Sequence, residues 1–193
     1  MGVREDKKEL REKYKALRAE ISREQKALLD EQVFHAFTNS LSYKHSKSII
    51  IYVSREDEVG TFAIINKAFE DNKKVAVPLC VPKTFALEFY EIENLSDLEN
   101  GHYNILEPNK DKCEKINPFD FDICVVPGVC FDFEGYRIGF GKGYYDRFLE
   151  NFKGIKAGLS YSFLMQKRLP RGRFDKNIEI IATEKGVRRL ASV

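Results

Sequence analysis

The sequence predicts an α/β fold: a single domain with a mainly parallel central sheet and helices on both faces. Three observations predict it. Apolar runs of strand length read as buried strands, and they alternate with segments of helical periodicity through most of the chain. No internal repeat, low-complexity tract or interdomain linker divides the sequence. Its 193 residues suit one sizeable core, so residues 1–193 are expected to form one domain.

The elements follow in order. Leu10, Tyr14, Leu17 and Ile21 recur at helical spacing and predict an amphipathic first helix. On its wheel Lys7 and Arg11 fall one turn apart at the edge of the apolar stripe, beside the body of the protein. Ser22 and Gln25 form a capping-box signature for a second helix, with Leu29, Val33, Ala36 and Phe37 on one face. KSIIIYV (47–53) is a buried strand, SREDEVG (54–60) a polar loop, and Thr61 to Glu70 a helix. KKVAVPLCV (73–81) and LEFYEI (87–92) are strands, and residues 94–120 are mostly loop. FDICVVPGVCFD (121–132) is the most apolar strand candidate. Tyr145, Phe148, Leu149 and Phe152 mark a further helix, and KAGLSY (156–161) and IEIIAT (178–183) are strands.

Composition removes several classes. A net charge of +2 is too mild to indicate a nucleic-acid partner. No apolar run approaches the roughly 18 residues of a membrane span. The segment MGVREDKKELREKYK has no apolar signal core, and Asp6 stands where a myristoylation site needs Ser or Thr. Cysteines 80, 113, 124 and 130 fit no metal-ligand spacing, and His35, His45 and His102 form no metal or triad set. Cys80 and Cys124 lie in apolar runs and read as buried, reduced thiols, so a cytoplasmic location is expected.

The segment IGFGKGYYDRF (138–148) carries the chemistry. Glycines allow a backbone to approach a ligand, a turn opening a helix offers free N–H groups to an anion, and Lys142 adds a charge. That is the logic of a phosphate cradle, although neither the Walker pattern nor GxGxxG is present. A structural turn with a solvated lysine satisfies the same residues. Asp146 reads either as a first-turn carboxylate or as a magnesium ligand, since Mg²⁺ takes one or two protein carboxylates besides phosphate oxygens and water. The Tyr145 ring falls on the apolar stripe, whereas Tyr144 falls off it and is free to line a pocket. Glu56, Asp57 and Glu58 form either a solvated loop or the edge of a ligand crevice outside a strand end.

The stretch VVPGVCFDFEGYRIGFGKGYYDRFL (125–149) resembles the signature of the 5-formyltetrahydrofolate cyclo-ligase family. KKELR (7–11), YVSREDEVGT (52–61), LP (169–170) and ATEKGV (182–187) resemble further parts of it, so the resemblance spans nearly the whole chain. It implies ATP- and Mg²⁺-dependent closure of 5-formyltetrahydrofolate to 5,10-methenyltetrahydrofolate, by a monomer or homodimer that binds reduced folate and ATP but neither nucleic acid nor membrane. It implies that Lys7, Lys8, Arg11, Arg137, Gly139, Gly141, Lys142, Gly143, Tyr144 and Tyr145 bind ATP. Lys142, Arg137 and Tyr144 would be catalytic, Val53, Glu58, Phe140 and Tyr144 would meet folate, and Asp146, with Asp175, would hold the metal. Two positions depart from the family pattern. Phe140 stands where many members have arginine, and LPRGRFD places Arg171 and Arg173 where an acidic residue is usual. Another phosphate-ligand enzyme on the same kind of sheet, a catalytically inactive descendant, and a nucleic-acid binder using the basic first helix and RLPRGRF are the competing readings.

Overall fold

The computed structural model describes residues 2–81, 83–101 and 105–190, and His102 lies outside them. Helix α1 (Val3–Ala19) is followed by α2 (Arg23–Thr38). The capping box forms: Ser22 Oγ accepts from the Gln25 N–H at 3.2 Å, and the Ser22 N–H donates to Gln25 Oε1 at 3.0 Å. Next come a short helix α3 (Leu41–His45), strand β1 (Ser48–Ile51), helix α4 (Phe62–Glu70) and the hairpin of β2 (Lys74–Val81) and β3 (Ala86–Ile92). The loop region contains the small hairpin of β4 (Leu98–Asn100) and β5 (Leu106–Pro108). Then follow β6 (Ile123–Val126), β7 (Cys130–Asp132), β8 (Arg137–Ile138), α5 (Tyr144–Leu149) and β9 (Ile155–Leu159). Strands β10 (Met165–Gln166), β11 (Ile180–Thr183) and β12 (Gly186–Arg189) complete the order.

The main sheet runs β12-β11-β9-β6-β1-β2-β3. Its five inner strands pair in parallel, and β3 and β12 close it antiparallel, as the predicted mainly parallel sheet requires. Strands β1, β6 and β11 are buried at every position, the pattern of parallel strands covered on both faces. Alternate residues feed two cores. Ile49, Ile51, Ile123 and Val125 meet Tyr14, Val33, Phe37, Ile64 and Ile65 from α1, α2 and α4 on one face. Ile50, Cys124 and Val126 meet Phe121, Phe131, Phe148, Leu149 and Phe152 on the other. Each such side chain contributes about 1.5–3 kcal/mol by leaving water.

Several elements differ from the sequence expectation, each for a local reason. The run 121–132 is two strands in two sheets, because Pro127 offers no N–H to a ladder and the chain turns there. A Cβ on Gly128 would come within 2.5 Å of the Phe131 ring, so only glycine fits that turn. Helix α5 stops at Leu149, and Phe152 reaches the core from the turn beyond it. Cys80 is exposed rather than buried, since it lies near the end of β2 beyond the cover of either core. Strand β12 is exposed at all four positions, which deprives it of an apolar signal. The outer edge of β3 is paired by the segment 114–116, through Ile116 N–H to Phe89 O and Glu91 N–H to Glu114 O, both 2.9 Å. Among the described residues no helix is long and apolar enough to cross a membrane.

The strand order reverses between β1 and β6: the chain winds from β1 toward β3 on one side and from β6 toward β12 on the other. Crevices at such a reversal, outside the carboxyl ends, are where open α/β sheets take ligands. Buried Arg18 of α1 spans this reversal. Its Nη1 donates to Asp57 O at 3.1 Å, in the loop after β1, and its Nη2 donates to Gly128 O and to Val129 O, the latter at 2.9 Å, in the turn after β6. Replacing Arg18 by Leu strands the buried carbonyls of Gly128 and Val129, and the expected loss is at least about 2 kcal/mol in urea unfolding. A loss below about 1 kcal/mol would show that the two loops hold themselves without the guanidinium.

Candidate active site

The loop after β1 is fixed by its own hydrogen bonds. Thr61 Oγ1 donates to Tyr52 O at 2.8 Å and accepts from the Ser54 N–H at 3.0 Å, while Ser54 Oγ accepts from the Thr61 N–H at 3.0 Å. Asp30 of α2 accepts from the Gly60 N–H at 2.9 Å. Within this frame Val53 and Glu58 are buried, and Glu58 accepts from the Arg55 N–H at 3.0 Å. Burial pushes the Glu58 carboxyl up from its ordinary value, against the pull of the Arg55 amide and guanidinium.

The glycine segment forms a turn between β8 and α5. Gly141 and Gly143 have φ of +94° and +72°, a backbone that side-chain-bearing residues rarely adopt. A Cβ on Gly139 would meet nothing within 4 Å, so its backbone lies open to approach. Arg11 Nε donates to Gly139 O at 2.9 Å, and the Arg11 guanidinium lies against Gly141. Lys7 pairs with Asp175, which also accepts from the Gly172 N–H at 2.7 Å. Both cations thus leave the edge of the α1 stripe toward the turn, as the helical wheel predicts. Lys8, the next residue round the helix, is exposed and makes no hydrogen bond or ion pair among the described residues.

Gly141, Lys142, Gly143, Asp146, Phe174, Asp175 and their neighbours line a cleft of about 440 Å³. The Lys142 side chain is exposed at its rim. Buried Arg137 donates to Asp146 Oδ1 at 3.0 Å and to Lys176 O at 2.7 Å, and the Lys176 N–H donates to the same Oδ1 at 3.2 Å. Asp146 Oδ2 has no hydrogen bond among the described residues. The Tyr144 ring packs at a tilt on Phe85, with ring centres 5.9 Å apart, under the tip of the β2–β3 hairpin. The Tyr145 ring packs against the core, and its hydroxyl is shut from solvent with no acceptor among the described residues, so burial pushes its pKa well up.

The two departures take definite places. Arg171 is held by buried Asp132 at 3.4 Å and Glu134 at 2.7 Å and stacks 3.9 Å above Tyr136, so it braces the β7–β8 turn. Arg173 is exposed beside Phe174. Phe140 carries the Arg55 guanidinium over its ring at 4.4 Å. Sequence reading missed Arg18, Arg55, Phe174 and Lys176. Arg18 alone had a visible signal, seven residues beyond Arg11 and four beyond Tyr14 on the same helix side.

Two outcomes follow from the buried groups. Tyr145→Phe removes a hydroxyl that has no partner among the described residues, so its unfolding free energy is expected to stay level or rise by about 1 kcal/mol. A clear drop would mean that the hydroxyl is bonded. Because the Glu58 pKa is raised in the folded state, that state binds the proton more tightly, and stability falls as pH rises above the ordinary value of 4.5. Glu58→Gln is expected to remove that part of the fall in denaturant midpoints measured from pH 4.5 to neutrality; identical profiles for the two proteins would refute the shift.

Comparison with known proteins shows the family of the chain. A sequence model of the 5-formyltetrahydrofolate cyclo-ligase family matches residues 3–184. A probable 5-formyltetrahydrofolate cyclo-ligase of Caenorhabditis elegans is 34% identical over 76% of this chain and 74% of its own length. The Mus musculus cyclo-ligase is 31% identical over 91% and 90%. The solution structure of Aquifex aeolicus 5,10-methenyltetrahydrofolate synthetase superposes with a TM-score of 0.84 at 37% identity, over 97% of this chain and 94% of that one. With the matched region running from the first helix through the glycine turn to β11, the chain belongs to the 5-formyltetrahydrofolate cyclo-ligase family.

Proposed function

We propose that this enzyme closes 5-formyltetrahydrofolate to 5,10-methenyltetrahydrofolate with ATP and Mg²⁺, releasing ADP and phosphate. The observation that carries the reading is the glycine turn itself. Two left-handed glycines open its backbone beside a cleft, with Arg11 against it, Lys142 at its rim, and Lys7 and Arg137 held by the cleft's own carboxylates. Four cations around one flexible-backbone turn suit a polyphosphate.

In the proposed reaction the formyl oxygen attacks the γ-phosphorus and ADP leaves. N10 then adds to the activated carbon and gives up its proton, and the C–O bond breaks to release phosphate. Such chemistry depends on placement and charge neutralisation rather than on a protein nucleophile. Lys142 and Arg11 would steady the transferred group, with Lys7, Lys8, Gly139, Gly141, Gly143 and Tyr145 along the phosphates. Arg137 would orient Asp146. Val53 and Glu58 would receive the pterin, and Tyr144 with Phe140 would border both ligands. The donor set suits a magnesium ion shared with phosphate oxygens: Asp146 offers a free oxygen, while the described residues contain no cluster of three metal-ligating side chains. The ion would neutralise charge on the phosphates, with Asp146 as its protein ligand and Asp175 as a second only after release from Lys7. Four free thiols support a reducing, cytoplasmic setting, in which the chain acts on small molecules, as a monomer or homodimer.

Purified protein with 5-formyltetrahydrofolate is expected to develop the near-ultraviolet absorbance of the methenyl product only when ATP and Mg²⁺ are both present. Lys142→Ala is expected to lower kcat by at least about 100-fold with an unchanged unfolding midpoint. Undiminished turnover in that variant would remove Lys142 from the reaction.

A further inference from the structure

Arg55 belongs to none of the roles above, yet its position is unusual. It leaves the loop that carries Val53 and Glu58 and crosses to the glycine turn, where its guanidinium lies 4.4 Å from the centre of the Phe140 ring. Lys15 approaches the same ring at 5.8 Å, so Phe140 serves as an aromatic seat for positive charge. The guanidinium is only partly engaged. Nη2 donates to Asp57 at 3.0 Å, Nε stands 3.7 Å from Glu58, and Nε is shut from solvent with no acceptor among the described residues. Donors are therefore left over at the junction between the folate-side loop and the phosphate-side turn.

Arg55 also lines a groove of about 720 Å³ with Ser54, Gly60, Phe34 and Phe62, whereas Lys142 lines the separate cleft beyond the turn. With the folate against Val53 and Glu58 of the Arg55 loop and the phosphates against Lys142 of the glycine turn, as proposed above, the atom between loop and turn is the one that joins the two substrates. In the reaction proposed above, that atom is the formyl oxygen. We infer that Arg55 is a catalytic residue that donates to the formyl oxygen of the folate and balances the charge of the phosphoryl group that lands there. Phe140 holds the guanidinium in place from below. This inference rests on the cyclo-ligase reading, and binding measurements separate the two.

The test uses Arg55→Leu, Arg55→Lys and the double variant Arg55→Leu/Phe140→Arg, titrated calorimetrically without ATP. Losing a charge-assisted hydrogen bond is expected to weaken 5-formyltetrahydrofolate binding by about 10-fold or more in Arg55→Leu, with tetrahydrofolate, which lacks the formyl group, bound within about 2-fold of the parent protein. Arg55→Lys and the double variant are expected to recover part of the loss. In turnover, kcat should fall with KM for ATP within about 2-fold. Arg55→Leu also takes the guanidinium away from buried Glu58, so its unfolding midpoint is expected to fall modestly at neutral pH, while Arg55→Lys should keep it. Unchanged formyl-folate affinity, or an equal loss for both folates, would overturn the assignment. A parent protein that binds the formyl folate selectively through Arg55 but turns over without ATP would overturn the proposed reaction and leave Arg55 standing. One that binds no folate would remove both.

Discussion

A single buried guanidinium decides how the two halves of this sheet meet. Arg18 has given up water, and its charge is met by backbone carbonyls rather than by a carboxylate. Carbonyls are oriented dipoles, and they are available only where a ladder has ended and freed them. Those places are the carboxyl ends of β1 and β6, where the winding reverses. The amino ends of the same strands are tied differently: Asp122 accepts from the Lys47 and Ser48 N–H groups at 2.7 and 3.1 Å. With a cation at one end and an anion at the other, β1 and β6 are held in register at both ends. The Glu58 loop and the turn before β7 inherit their separation from that arrangement.

The cleft beyond the glycine turn follows a related rule. Its cations are not bare. Lys7 is held by Asp175 and Arg137 by Asp146, so the site is close to neutral pairs until a ligand arrives. A polyanion would exchange partners with these pairs instead of entering a field of unopposed charge. Such exchange costs less desolvation than assembling four free cations around a phosphate. Lys142 and Arg11 differ, since they have no carboxylate partner among the described residues, and their charge is available from the outset.

Much of this was legible in the residues. Ser22 and Gln25 announced a helix start by their chemistry, and the isoleucines at 49 to 51 announced a strand covered on both sides. Lys7 and Arg11 could be placed beside the body because helical periodicity fixes direction as well as distance. The resemblance of 125–149 to a family signature led to the correct family, which periodicity by itself could not name. What stayed hidden depended on pairing across long separations. In the small sheet of β7, β8 and β10, Phe131 pairs with distant Met165 through strands of two or three residues, too short to carry a period. The Arg55–Phe140 stack joins two loops, where no periodicity operates. Strand β12 is exposed throughout, so its sequence resembles a polar tail.

That exposed strand has a consequence for how molecules of this protein coexist at high concentration. Sheet edges are templates for other chains, and aggregation begins where a long apolar edge stands open. Here the outermost strand ends in Arg188 and Arg189, and the opposite edge is already occupied by residues 114–116. A neighbour that tried to extend the sheet at β12 would bring a second pair of arginines against the first. At β3 it would first have to displace existing backbone bonds. The two margins of the sheet therefore guard the protein's solubility by repulsion on one side and by prior occupancy on the other.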